Sequence, residues 1–230
     1  MKAQAASAEI AALTREEEQA DVISRLEEDI IFGRFAPGSR LVEDTLMARY
    51  GASRHFVRQG LFQLERQGIV LREKNIGATV RFYSSEEVRQ IYEVREMLTR
   101  QAALMIALPA PAGLIEQLTE LQRQYCARAD VQDLRGIHEA NDAFHVALFS
   151  ACGNPYLVRS LQDYMNLTLP MRAKNLADSE GLALSRRQHE FMIELLRGRD
   201  SWAFAQLCVD HMQSSKADYL ERIAGDANRD

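Results

Sequence analysis

The sequence predicts a mainly α protein in two parts: an N-terminal winged helix-turn-helix domain and a C-terminal all-helical antiparallel bundle. Three features predict it. Two short helix-prone stretches between residues 43 and 67 are separated by Gly51, as a helix-turn-helix requires. Directly after them, the β-prone runs Ile69-Val70-Leu71 and Ala78-Thr79-Val80 flank the turn residues Asn75-Ile76-Gly77, which predicts a hairpin wing. Beyond Tyr83, apolar residues recur at three- and four-residue steps with no strand pattern among them.

Composition bounds the answer without choosing it. A chain of 230 residues, 47% hydrophobic and 27% charged, is long enough for two modest domains and ordinary for a soluble protein. No apolar run approaches the roughly 20 residues of a membrane span, and the N-terminus lacks a basic-then-apolar signal pattern, so a cytoplasmic location is expected. Cys126, Cys152 and Cys208 are odd in number and far apart, which fits buried thiols and neither a disulfide framework nor a paired-cysteine zinc site.

In chain order, residues 1–14 are expected to form a mobile Ala-rich tail, and Thr14-Arg15-Glu16-Glu17 has the pattern of a capping box. Residues 15–83 make the first domain. Val22, Leu26, Ile30 and Ile31 continue a helix that Gly33 ends; Pro37-Gly38 turns the chain into a short extended piece at Arg40 to Val42. Glu43 and Asp44 suit the positive end of the next helix, Glu43 to Tyr50. After Gly51, Ser53 is a good N-cap, and Val57, Leu61 and Leu64 gather on the inward face of a helix to Gln67. Arg54 and Arg58 lie off that stripe with His55 and Gln59, near the helix end that a recognition helix presents to base edges.

From Thr45 to Tyr83 there are seven basic residues, Arg49, Arg54, Arg58, Arg66, Arg72, Lys74 and Arg81, against Glu65 and Glu73. Phosphate neutralisation needs such a local excess, which the whole-chain charge of −5 conceals.

The second domain is expected over residues 84–225. Ser84 or Ser85 can cap its first helix, whose stripe Val88, Ile91, Val94, Leu98 and Ala102 runs until Pro109 and Pro111 stop it. Further helices are predicted at about Ala112 to Arg128, Val131 to Ala151, Pro155 to Leu176, Leu182 to Arg197 and Ser201 to Ile223. His145, His189 and His211 fall on three of them. Imidazoles converging from separate helices make a workable site for zinc or nickel; taken singly, each reads more readily as a hydrogen-bonded core or surface residue. Asn141, four before His145, shares its face and can join it.

The ordered motifs Pro37-Gly38-Ser39-Arg40-Leu41, Leu46-Met47-Ala48, Ser53-Arg54-x-x-Val57-Arg58-x-x-Leu61-x-x-Leu64, Gly68-Ile69-Val70 and Gly77-Ala78-x-Val80 resemble the winged helix-turn-helix of the GntR family of bacterial transcriptional regulators. Val94-Arg95, Phe144-His145 and Gly153-Asn154 are similar to the FadR subfamily, whose C-terminal effector domain is the all-helical FCD fold, here in a six-helix, VanR-like form. The resemblance implies a ligand-responsive regulator, a repressor by the commonest family behaviour. It would act as a homodimer on a pseudo-palindromic double-stranded operator, with Arg49, Ser53, Arg54, His55, Arg58, Lys74 and Gly77 at the DNA.

The resemblance also implies a divalent metal held by Asn141, His145, His189 and His211, helping to bind a small carboxylate effector that Arg95 and Arg172 would pair with. Asn141 stands where the family usually has Asp, which removes a negative charge; Asp142 is an alternative ligand, and His138 shares the face of His145. Two rival readings stand beside this one: a metal-dependent enzyme on a helical bundle, and a regulator for which the metal itself is the signal. The first lacks any carboxylate pair or nucleophile–base motif at helical spacing with the histidines.

Overall fold

The computed structural model describes residues 20–73 and 77–227, without the side chains of 173–175 and 226–227. The expected tail, the capping box at Thr14 and the turn residues Asn75 and Ile76 lie outside it. The chain divides into two compact units between Phe82 and Tyr83.

The first unit begins with α1, residues 20–31, which buries Val22, Ile23, Leu26, Ile30 and Ile31. Helix α2 (Glu43–Tyr50) carries Glu43 and Asp44 in its first turn, and Gly51 ends it at φ 64°, a left-handed conformation that glycine adopts without a Cβ penalty. Asp29 of α1 accepts from Tyr50 Oη at 2.8 Å and pairs with Arg49, tying α1 to α2. In α3 (Arg54–Arg66) the Ser53 hydroxyl accepts from the Phe56 N–H at 3.3 Å, and Val57, Leu61 and Leu64 are buried with Gly60. A Cβ at Gly60 would meet Ile23 at 3.5 Å, so α3 crosses α1 there.

The wing has one strand more than the predicted hairpin. Strands β1 (Arg40–Leu41), β2 (Val70–Glu73) and β3 (Gly77–Val80) form an antiparallel sheet in the order β1-β3-β2, with Arg40 opposite Thr79 and Val70 opposite Val80.

The second unit is helical throughout its described residues. Its members are α4 (Ser85–Leu104), α5 (Ala112–Asp130), α6 (Leu134–Ser150), α7 (Pro155–Leu167), α8 (Leu169–Ala177), α9 (Ser179–Arg197) and α10 (Ser201–Ala227). Ser84 and Glu87 complete a reciprocal capping box at the start of α4. Asp133 and Asp178 cap α6 and α9, which moves those starts to Leu134 and Ser179 from the predicted Val131 and Leu182.

One predicted helix is two. The stretch from Pro155 to Leu176 breaks at Thr168, because Pro170 has no N–H for the ladder and its ring clashes with the carbonyl four residues back. The main core gathers Phe144, Leu148, Leu161, Met192, Leu196 and Phe204 from α6, α7, α9 and α10. The buried face of α4 is Val88, Tyr92, Arg95, Thr99, Ala102 and Ala103, turned from the predicted stripe so that Arg95 and Thr99 face inward.

Candidate functional site

On the first unit, Arg54, His55, Arg58 and Gln59 project from α3 into solvent, opposite the buried Val57–Leu64 face. Acids on α2 meet two of them. Arg58 Nε donates to both Glu43 carboxylate oxygens at 2.8 and 3.0 Å, and Arg54 pairs with Asp44 at 2.5 Å. Gly77 opens β3 at φ 105°, and a Cβ there would lie 3.8 Å from the Arg40 guanidinium. Lys74 lies outside the described residues.

Arg49 of α2 is exposed, and its guanidinium also pairs with the buried Asp29 carboxylate, which needs a cation beside it. Ser53 is exposed, with its hydroxyl already used as the α3 cap.

In the second unit, His145 of α6, His189 of α9 and His211 of α10 meet at their Nε2 atoms. His145 Nε2 is 3.0 Å from that of His211 and 3.3 Å from that of His189. The ligand-type atoms of the three lie within 4.8 Å of one another, the one such cluster found among the described residues. His189 is fully buried, stacked on Phe144 with ring centroids 4.2 Å apart.

Two glutamines set the tautomers. Gln122 of α5 donates its amide nitrogen to the Arg186 carbonyl at 3.1 Å, which turns its Oε1 to His189 Nδ1 at 2.9 Å. Nδ1 of His189 therefore carries the proton and its Nε2 a lone pair. Gln188 Oε1 stands 2.8 Å from His211 Nδ1 and gives that ring the same tautomer. Three nitrogens thus converge with at most one proton, from His145, to share. That donor set fits a nitrogen-preferring divalent cation.

Burial pushes His145 and His189 well below the ordinary imidazole value, with His211 beside them adding to it. Burial, then Arg95 and Arg172, push His211 down to about 3. All three rings are therefore neutral and available as ligands at physiological pH.

A small cavity of about 30 Å³ opens beside the cluster, lined by His145, His211, Asn141, Arg95 and Arg172 with Ser185, Ser214 and Ser215. Asn141 is buried one turn before His145, and its amide donates to Asp142 at 3.3 Å. The Asp142 carboxylate is committed elsewhere: Arg172 donates to it at 2.7 Å, and His138 Nε2 lies 3.6 Å from its other oxygen. Burial raises the Asp142 carboxyl, but Arg172 and His138 outweigh it and leave the group below its usual value.

Arg95 has no carboxylate among its hydrogen bonds here. It donates to Thr168 Oγ1 at 3.0 Å, and its Nε is buried without a partner among the described residues. Burial is the main cause that pushes its guanidinium down to about 10. Two buried guanidiniums thus face one carboxylate around the cavity, and a buried excess of positive charge is stabilised by an anion.

Residues 18–80 match the gntR family of bacterial regulatory proteins, and residues 90–214 match the FCD domain. The chain belongs to the GntR family, with an FCD effector domain. This GntR-family protein is a DNA-binding transcriptional regulator and not an enzyme.

Relatives agree along most of its length. It is 24% identical over 196 residues to the HTH-type transcriptional regulator YdhC of Bacillus subtilis, covering 82% of this chain and 84% of that one. It is 23% identical over 211 residues to the HTH-type transcriptional repressor GlaR of Escherichia coli, covering 87% and 94%. Among solved structures, Escherichia coli McbR/YncC superposes with a TM-score of 0.69 at 18% identity over 90% of this chain and 98% of that one. A GntR regulator from Rhodococcus gives 0.62 at 22% identity over 91% and 98%. These two share its fold.

Sequence reasoning missed Gln122, Gln188 and Thr168, and it left Glu43 and Asp44 as helix-end acids. Gln122 carried a usable signal, since it sits on the buried α5 face between Leu118 and Tyr125.

Proposed function

We propose that this regulator is a homodimeric repressor that senses a small organic acid through a divalent metal, zinc or nickel, in the bundle. His145, His189 and His211 would hold the metal, with Asn141 as a neutral fourth ligand and Arg95 and Arg172 receiving the acid. The observation that carries the reading is the convergence of three Nε2 atoms with more lone pairs than protons. Bound there, a metal would supply a Lewis-acidic centre for a carboxylate, while the two guanidiniums orient and neutralise its oxygens.

The cavity holds roughly two waters at about 10–15 Å³ each, so an acid of more than a few heavy atoms must part its walls. That coupling of ligand volume to helix position is how the bundle would alter the spacing of two reading heads on a pseudo-palindromic operator. No described helix is long and apolar enough to cross a membrane, in keeping with action on DNA in the cytoplasm.

The test uses a duplex selected from a random pool on the wild-type protein. Binding is measured with zinc or nickel alone, with a panel of carboxylates alone, and with both, alongside elemental analysis of gently purified protein. A carboxylate that releases the duplex only with metal supports the reading; release by metal alone makes the metal the signal. If neither metal binds, the histidines are a structural cluster and any acid is held by the arginines alone.

A further inference from the structure

The basic excess between Thr45 and Tyr83 leaves out two acids, just before it in the chain, that the fold returns to the reading surface. Glu43 and Asp44 occupy the first turn of α2, where negative charge also favours the helix N-terminus. That role asks only for charge near the backbone N–H groups. It does not ask for the pairing seen here, in which Arg58 Nε meets both Glu43 oxygens at 2.8 and 3.0 Å while Arg54 reaches Asp44 at 2.5 Å and lies 3.9 Å from Glu43. Arg72 of the wing is likewise 3.2 Å from Glu65.

The geometry separates two kinds of DNA contact. Glu43 engages Arg58 through Nε, and that leaves the edge with the two terminal amines for N7 and O6 of a guanine, the bidentate contact that reads sequence. Such a contact keeps the Arg58–Glu43 pair intact. A phosphate drawn to the same guanidinium comes up against the Glu43 carboxylate, and the like charges oppose it.

We propose that Glu43 and Asp44 are specificity-determining residues: Glu43 holds the guanidinium of Arg58 for base edges, and both acids suppress sequence-independent phosphate binding, Asp44 through the terminal amine of Arg54 that it engages. An acid beside a recognition arginine lowers affinity for all DNA, but it lowers non-cognate affinity more, because only there is phosphate the arginine's main partner.

Glu43→Gln and Asp44→Asn keep shape and remove charge. Each is titrated against the selected duplex and a scrambled duplex over a salt series, with melting curves recorded for both variants. In Glu43→Gln, affinity for the scrambled duplex is expected to rise roughly fivefold to tenfold with a steeper salt dependence, while affinity for the selected duplex stays level or falls. In an Arg58→Ala background the same change should leave scrambled binding unmoved; Asp44→Asn should behave likewise with Arg54→Ala. Three results overturn the proposal: scrambled affinity that does not rise, an equal rise for both duplexes, or a rise that persists without the arginine. The first, with a lowered melting temperature, leaves the acids as α2 stabilisers only, and the other two reduce them to bulk charge.

Discussion

Gln122 Oε1 and His189 Nδ1 are 2.9 Å apart, and the Arg186 carbonyl holds the other end of the glutamine amide at 3.1 Å. The relationship fixes more than an orientation: it decides which imidazole nitrogen is left with a lone pair. If the histidine cluster holds a metal, Gln122→Leu should weaken zinc binding by about 10- to 100-fold, the usual cost of losing such an orienting partner. Gln122→Glu keeps an acceptor and should lose less. Competition against a chromophoric chelator reads both. Unchanged affinity in Gln122→Leu would mean that the stack on Phe144 alone sets the ring.

Asn141 offers a gain-of-affinity counterpart. Its amide oxygen can ligate but brings no charge to a cavity that already faces two guanidiniums. Asn141→Asp should therefore tighten divalent metal binding. A ligand of the folded state stabilises it by mass action, so a chelator should lower the melting temperature of wild type and lower that of Asn141→Asp further. His189→Ala should abolish the chelator's effect in both. Equal metal affinity for the wild type and the Asn141→Asp variant would remove this position from the ligand set.

The head was legible because its rules are local. Ser53 caps, Val57 and Leu61 and Leu64 repeat, Gly51 turns, and each effect acts within a few residues of its cause. The α4 stripe was misread because Arg95 and Thr99 lie on the buried face, where an apolar pattern counts them as surface; polar residues pointing into a core are the mark of a site. The histidines could be assigned to separate helices, but the tautomers could not be read, since they depend on Gln122 and Gln188, distant in sequence from His189 and His211 or indistinguishable from solvated residues. Arg54 and Arg58 were legible as solvent-facing residues of α3, whereas their acid partners, ten and fifteen residues away in the chain, belong to another helix that only the fold brings beside them.

The Asp29 network makes the first unit sensitive to acid. Burial raises the Asp29 carboxyl, but the Arg49 and Tyr50 hydrogen bonds outweigh it and hold the folded value below the ordinary 3.8. Below that ordinary value the unfolded chain takes up the proton first. The stabilisation is therefore fully present above it and lost as pH falls through the folded value. Melting of the protein between neutral pH and about pH 3 should show this acid limb, and Asp29→Asn should flatten it while lowering stability at neutral pH. A limb of the same slope in Asp29→Asn would assign it to other carboxylates, with Asp142 next in line.

Arg95 and Arg172 should respond oppositely to the same substitution, although both are buried arginines on one cavity. Arg172 is the partner of Asp142, so Arg172→Met leaves a half-buried carboxylate with the Asn141 amide and His138 beside it but no ion-pair partner in hydrogen-bond contact, and should destabilise the bundle by up to about 3–5 kcal/mol, the cost of breaking a fully buried pair. Arg95 gives up its bond to Thr168, whose hydroxyl keeps the Tyr164 and Met165 carbonyls as acceptors, and its contact with the Tyr92 ring at 5.6 Å, but no ion pair. Arg95→Met removes an uncompensated charge and should leave the ligand-free melting temperature level or raise it. If the charge is kept for an anionic effector, that gain carries a loss: the thermal shift produced by an active carboxylate should disappear in Arg95→Met. A variant that is destabilised yet still shifted by the acid would make Arg95 a strut between α4 and the α7–α8 break, and the effector site would have to be sought around Arg172 alone.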